Sequence, residues 1–169
     1  NIVLFGEIGV GKSSVVNLLA GYKVAEISEN ADPCTQRSQG YEIVLDGKTY
    51  CIWDTVGLLW PGFGYGGEID QYEYVTTVQD VNKLISRRSQ VDLLLFCLRG
   101  GRVTAWDVRH YGLIHEVLCA GTIPVGVVFT NLENENILEE WGRRNVPKVQ
   151  KLFGMKFEGY ACVTAVPGQ

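Results

Sequence analysis

The residues with the plainest capacity for chemistry stand near the amino terminus. Gly6-Glu7-Ile8-Gly9-Val10-Gly11-Lys12-Ser13 is a complete G-x-x-x-x-G-K-S, preceded by the apolar run Ile2–Phe5 and followed by Ser14 and an apolar stretch to Ala20. Glycines at this spacing let consecutive backbone N–H groups curl into an anion nest, and a helix that starts where the loop ends adds its positive dipole. In that setting Lys12 can neutralise β- and γ-phosphate charge, and the Ser13 hydroxyl can ligate Mg²⁺. The bland alternative is a glycine-rich turn with an exposed lysine. Every fixed position matches in the required order of strand, loop and helix, so the pattern predicts a bound nucleoside triphosphate with Mg²⁺.

A second group follows 42 residues beyond Lys12, where Trp53-Asp54-Thr55-Val56-Gly57 contains D-x-x-G. A carboxylate at a strand end beside the phosphate loop can hold a metal-bound water, and the nearby glycine N–H can sense the γ-phosphate. A plain Asp-Gly turn would show the same letters. Its distance from the glycine loop gives the motif its weight.

Elements that could position these groups are visible as short apolar runs: Ile2–Phe5, Tyr50–Trp53, Val91–Leu98, Pro124–Phe129 and Tyr160–Val166. They read as strands buried on both faces. Helical periods lie between several of them, through Val75, Val78, Val81, Leu84 and Ile85, and through Val108, Tyr111, Ile114 and Leu118. Thr104 with Asp107 three residues on has the form of a capping box for the latter helix. Gly40 to Trp53 alternates about Asp46-Gly47, a hairpin signal, so one antiparallel edge strand joins an otherwise parallel sheet. The expected architecture is an α/β domain of three layers. Helices cover both faces of a mostly parallel six-stranded sheet, and the site lies at the carboxyl ends of the strands.

Composition narrows the function classes. With 169 residues and 18.8 kDa the chain is expected to form one domain, residues 1–169, with one core. A net charge of −4 and a pI near 5.2 argue against a broad basic surface, so nucleic acid is not an expected partner and phosphate binding is local. No apolar run approaches the ~20 residues that span a bilayer, and no secretory signal opens the chain, so a cytoplasmic protein without a transmembrane segment is expected. Cys34, Cys51, Cys97, Cys119 and Cys162 form no C-x-x-C pair and read as free thiols. The missing initiator methionine, and the end soon after the last apolar run, suggest a trimmed domain or one lacking its C-terminal helix.

On these motifs the chain resembles the guanine-nucleotide branch of the P-loop proteins, the small GTPases of Ras-like fold. The resemblance implies GTP and GDP as ligands with Mg²⁺, and it implies roles for further residues. The polar stretch Ala25 to Gly40 holds Thr35 in the zone of the switch I threonine that completes the Mg²⁺ shell beside Ser13 and Asp54; Ser28 and Ser38 compete for that role. Lys12 and Thr35 would be the catalytic pair. Thr130-Asn131-Leu132-Glu133 stands where the family reads guanine, with Glu133 in place of the usual aspartate and Asn131 in place of a lysine stem. A loop of this composition can also cap the next helix, and both readings stand. Thr164-Ala165 matches the family's short base-contacting motif. Asp54 to Leu58, the run Leu93 to Phe96 leading into Gly101-Arg102-Val103-Thr104-Ala105-Trp106-Asp107, and Phe129 to Glu133 look closest to the avirulence-induced and immunity-associated GTPases. Those proteins are relatives of the septins and the chloroplast import receptors.

The position after D-x-x-G usually carries a glutamine that orients water, and here it is Leu58. Slow hydrolysis follows as an expectation, at or below the order of 10⁻⁴ to 10⁻³ per second for an unassisted site of this type. A second subunit across the nucleotide face could supply the missing group, with Arg37, Arg99 and Arg102 as conceivable donors. Leu59 to Gly67 mixes glycines with aromatics and reads either as a nucleotide-controlled effector surface or as a packed loop. His110 and His115 lack partners at ligand spacing and read as surface or core residues. Two rival functions remain at this level, a nucleotide-stabilised scaffold that never turns over and an ATP-using P-loop kinase.

Overall fold

A computed structural model describes residues 1–27, 37–58, 71–87, 91–101 and 103–164. Six strands form one sheet: β1 (Ile2–Phe5), β2 (Gln39–Leu45), β3 (Lys48–Asp54), β4 (Leu93–Arg99), β5 (Val125–Thr130) and β6 (Gly159–Cys162). Among the described residues the α-helices are α1 (Lys12–Ala20), α2 (Gln71–Arg87), α3 (Ala105–Tyr111) and α4 (Leu138–Phe153). The spatial order is β2-β3-β1-β4-β5-β6, and β2 alone runs antiparallel to its neighbour. Asp46 and Gly47 close the β2–β3 hairpin, both at positive φ, the conformation a tight two-residue turn requires.

Each face of the sheet buries a separate core. Phe5, Leu94, Phe96, Phe129 and Leu58 lie on the face covered by α2, α3 and α4, where Val81, Tyr111, Ile114, Trp141 and Val149 meet them. Phe5 and Phe96 stack at 4.6 Å and Phe129 tilts against Trp141 at 4.9 Å, a geometry aromatic pairs favour. The other face is smaller, with Leu4, Ile43, Ile52, Cys97 and Val128 beneath Val15 and Val16 of α1. Cys97 and Cys119 are buried free thiols, pushed up by burial to about 12 and about 11; Cys34 lies outside the described residues.

The ends of β6 and of the helix after Thr104 differ from the sequence pattern. The last strand ends at Cys162, four residues before Val166, because beyond Val163, whose N–H donates to the Phe129 carbonyl, β5 has reached its own end at Thr130. The helix expected through Leu118 widens at Gly112 into a π-helical segment, Gly112–Leu118, while keeping Tyr111 and Ile114 in the core.

Candidate functional site

β1 places Gly6 to Gly11 at the carboxyl end of the sheet, and α1 starts directly from Gly11. Gly11 is the N-cap at φ +93, no side chain caps this helix and no acidic residue occupies its first turn. The first N–H groups of α1 are therefore left for an external anion. By contrast α3 is closed by its own residues. Thr104 accepts from the Asp107 N–H, and the Asp107 carboxylate accepts from the Thr104 N–H at 2.7 Å, as the sequence predicted.

Lys12 is not the exposed lysine of a plain turn. It is 6% exposed and donates to the Gly6 and Glu7 carbonyls at 3.3 and 2.9 Å, so its ammonium is held back across the loop. Burial pushes its pKa down, against the pull of Asp54. Burial also raises the Glu7 carboxyl, with Asp107 adding to the rise while Arg99 and Lys12 oppose it. The Ser13 hydroxyl donates to the Asp54 carboxylate at 2.5 Å, bringing together the two groups expected to face a metal. A hydroxyl and a carboxylate are hard oxygen donors, the kind of partial protein set on which Mg²⁺ adds phosphate oxygens and waters. Among the described residues no cluster of three or more His, Cys, Asp or Glu offers a closed metal cage.

The D-x-x-G segment lies directly on the phosphate loop. Thr55 is buried and donates to the Leu4 carbonyl at 2.7 Å, and the Leu58 N–H donates to the Gly6 carbonyl at 3.1 Å. Gly57 presses on Ile8 so closely that an added Cβ would come within 2.5 Å of the Ile8 Cα, so the position requires glycine. Leu58 is fully buried in the larger core. Neither Thr55's anchor nor Leu58's burial was legible from residue type.

Loop 130–133 follows β5. Thr130 is fully buried, with its hydroxyl 2.7 Å from the Val10 carbonyl, so the loop is tied to the phosphate loop. Asn131 takes a left-handed conformation at φ +57, which asparagine tolerates better than most residues, and is exposed together with Glu133. Among the described residues the Glu133 carboxylate has neither a hydrogen bond nor an ion pair. It does not cap the next helix: the N-cap of α4 is Ile137, with no side-chain bond. That removes the structural alternative for this loop. A half-open cleft of about 160 Å³ lies behind the loop, lined by Gly100, Gly101, Asn131, Leu132, Asn134, Glu135 and Trp141, but by neither Glu133 nor Thr164. Thr164 lies just past β6 and is half-buried; Thr35, Ser28, Arg102, Ala165 and Leu59 to Gly67 lie outside the described residues. Ser38, the remaining competitor of Thr35, precedes Gln39, the residue that β2 sets opposite Asp54.

Of the arginines considered as donors in trans, Arg37 is exposed, while Arg99 is already engaged within the chain. Its Nη2 donates to the Gly9 carbonyl at 2.9 Å, a contact no local signal announces. His110 is 1% exposed, and neither ring nitrogen has a partner among the described residues. Burial, aided by the Lys12 charge, lowers it to about 4. His115 packs its ring against Tyr111.

Strand, open-ended helix, held lysine and a Ser13–Asp54 pair at the carboxyl edge of a mostly parallel sheet define a P-loop nucleotide-binding domain. A family model described as 50S ribosome-binding GTPase matches residues 1–131, and the chain belongs to that family. Over 58 residues it is 43% identical to the tRNA modification GTPase MnmE of Laribacter hongkongensis, covering 34% of this chain and 13% of MnmE. Among solved structures it is similar to Era in complex with MgGDPNP and nucleotides of 16S ribosomal RNA (TM-score 0.75, 19% identity, 99% of this chain and 51% of Era). It is also similar to the chloroplast translocon components atToc33 and psToc159, for whose GTPase activity dimerization is described as important (TM-score 0.63, 21% identity, 98% and 70%). The chain thus spans about half of the Era chain and a small part of MnmE. Among the described residues no helix is long and apolar enough to cross a membrane.

Proposed function

We propose that residues 1–169 are one GTPase domain, a switch that binds GTP and GDP with Mg²⁺ and hydrolyses GTP slowly to GDP and phosphate. The observation that carries this reading is the buried Lys12, drawn across the loop at the uncapped start of α1 with Ser13 on Asp54 beside it. In this reading Gly6 to Ser14 and Gly57 hold the phosphates, Lys12 neutralises their charge, and Ser13, Asp54 and Thr35 hold the metal. Mg²⁺ would supply charge neutralisation at the phosphates. Thr130, Asn131 and Glu133 read guanine with Thr164 and Ala165; the exposed, uncommitted Glu133 carboxylate is suited to accept from the ring N–H and amino group. Leu58 has an apolar side chain packed in the core and cannot orient a water, which supports a slow rate.

Output is proposed to be cytoplasmic and to run through the switch segments to an effector protein, or through a homodimer across the nucleotide face. The dimerization described for atToc33 and psToc159 supports the latter. Era's complex contains RNA, but the net charge of −4 favours a domain that does not itself hold nucleic acid. Era, MnmE and Toc33 do not single out the avirulence-induced and immunity-associated branch, so that finer kinship rests on the Gly101-Arg102-Val103-Thr104 box and its neighbours. Burial of Leu58 also favours a second reading, a GTP-bound scaffold that does not turn over.

The deciding experiment denatures the purified protein, identifies released nucleotide, and titrates GTP, GDP and ATP with Mg²⁺. Micromolar or tighter guanine binding with little for ATP is expected. ATP preference would overturn the base-reading role of Glu133. Tightly bound GTP with no phosphate release at any protein concentration would select the scaffold.

A further inference from the structure

Two adjacent carbonyls at the tip of the phosphate loop are held from outside the loop by two adjacent strand ends. Thr130, last in β5, reaches the Val10 carbonyl at 2.7 Å, and Arg99, last in β4, donates through Nη2 to the Gly9 carbonyl at 2.9 Å. Arg99 and Thr130 are themselves partners in the β4–β5 register, and the Gly100 N–H donates to the Thr130 carbonyl at 2.7 Å. The two anchors therefore belong to one hydrogen-bonded edge. A peptide unit is planar, with its carbonyl and N–H pointing in opposite directions. Holding the Gly9 carbonyl on Arg99 consequently turns the Val10 N–H the other way, toward the Glu7 carbonyl that also accepts from Lys12. Gly9 sits at φ +70, and an added Cβ would lie 3.3 Å from the Arg99 Nη2, so a side chain here would be strained and would crowd the guanidinium. Among the described residues the other donors of Arg99 have no protein acceptor, leaving a fixed positive charge beside the loop. That charge also opposes the rise in the Glu7 carboxyl.

We infer that Arg99 is a positioning residue acting in cis: by holding the Gly9 carbonyl it keeps the loop tip in its phosphate-receiving shape, and it is not an arginine donated to a second subunit. The part concerning bound phosphate rests on the function proposed above. The shape of the loop does not.

Two variants, Arg99→Met and Arg99→Lys, test it in two measurements. In nucleotide-free protein, hydrogen exchange across residues 6–12 is expected to quicken in Arg99→Met and to return partway in Arg99→Lys. With GDP and Mg²⁺, Arg99→Met is expected to weaken binding about tenfold, the scale of a lost charge-assisted hydrogen bond, and to move the ³¹P resonance of the bound β-phosphate. Both effects should be independent of protein concentration. Equal loop exchange in wild type and Arg99→Met would overturn the inference, whatever the nucleotide does. Unchanged GDP affinity with a loss only of concentration-dependent hydrolysis would overturn it in favour of action in trans. If the wild type binds no guanine nucleotide while the exchange difference persists, the proposed function fails and the positioning role stands.

Discussion

The phosphate loop and loop 130–133, proposed to read the base, lie at the same edge of the sheet and are tied to each other through Thr130, yet they are built differently. At the phosphate loop the working groups are backbone N–H donors and two side chains fixed by bonds: Lys12 is buried on two carbonyls and Ser13 is on Asp54. At loop 130–133 the groups proposed to read the base are side chains on an exposed turn, and Glu133 is held by nothing among the described residues. Backbone recognition tolerates little change in sequence because glycines and a helix start create it. In the proposed reading, side-chain recognition at loop 130–133 tolerates more, so glutamate at position 133 is compatible with it while the phosphate loop keeps every fixed position.

The sharpest way to break this contrast is at its rigid end. Lys12→Ala should lower affinity for GDP and GTP by at least about a hundredfold, since a buried charge-assisted contact to phosphate is lost, as read by titration calorimetry. An effect below tenfold would mean that the backbone nest alone does the binding.

Acid should also reach the phosphate end. His110 is buried neutral near Lys12, with a folded pKa of about 4 against 6.5. Between those values the unfolded chain binds the proton and the folded chain does not, so stability is full above about pH 6.5 and declines as the pH falls toward 4. The integrated loss is about 3 kcal/mol. Glu7, whose pKa is raised, acts in the opposite direction. Chemical denaturation of His110→Phe beside wild type isolates the histidine; parallel pH profiles would refute its role.

Thr130→Val tests the tie between the loops. It keeps the shape but strips the hydroxyl from the buried Val10 carbonyl, and should cost about 1–3 kcal/mol of stability, with weaker nucleotide binding. Wild-type stability and affinity would make the two loops independent. The smallest effect is expected at the tolerant end. Glu133→Asp, shortening the side chain to the family's usual length, should improve the preference for GTP over ATP by roughly 1 kcal/mol or less, measured by competition. A loss of preference would show that the turn has adapted to glutamate.

Much of this was readable from residue order. The glycine loop, D-x-x-G, the Asp46-Gly47 hairpin and the Thr104–Asp107 cap each depend on backbone conformations set within a few residues, and each is present where its letters stand. The boundaries at Cys162 and Gly112 were not readable, because they depend on where neighbouring elements end or press. Leu58 showed by type that it could not orient water. That it is buried in the larger core, bonded through its N–H to the Gly6 carbonyl, required the assembled fold.

The sequence by itself thus determined the kind of ligand site and the class of fold, since periodicity, glycine spacing and capping are local physics. The tertiary structure alone decided how the loop is held. Arg99 meets Gly9 across 90 positions and Thr130 meets Val10 across 120, contacts that exist only because β1, β4 and β5 lie side by side. It also decided that, among the described residues, Glu133 is left uncommitted and His110 is buried without a partner, since burial and hydrogen-bond supply depend on what the fold brings together at one place.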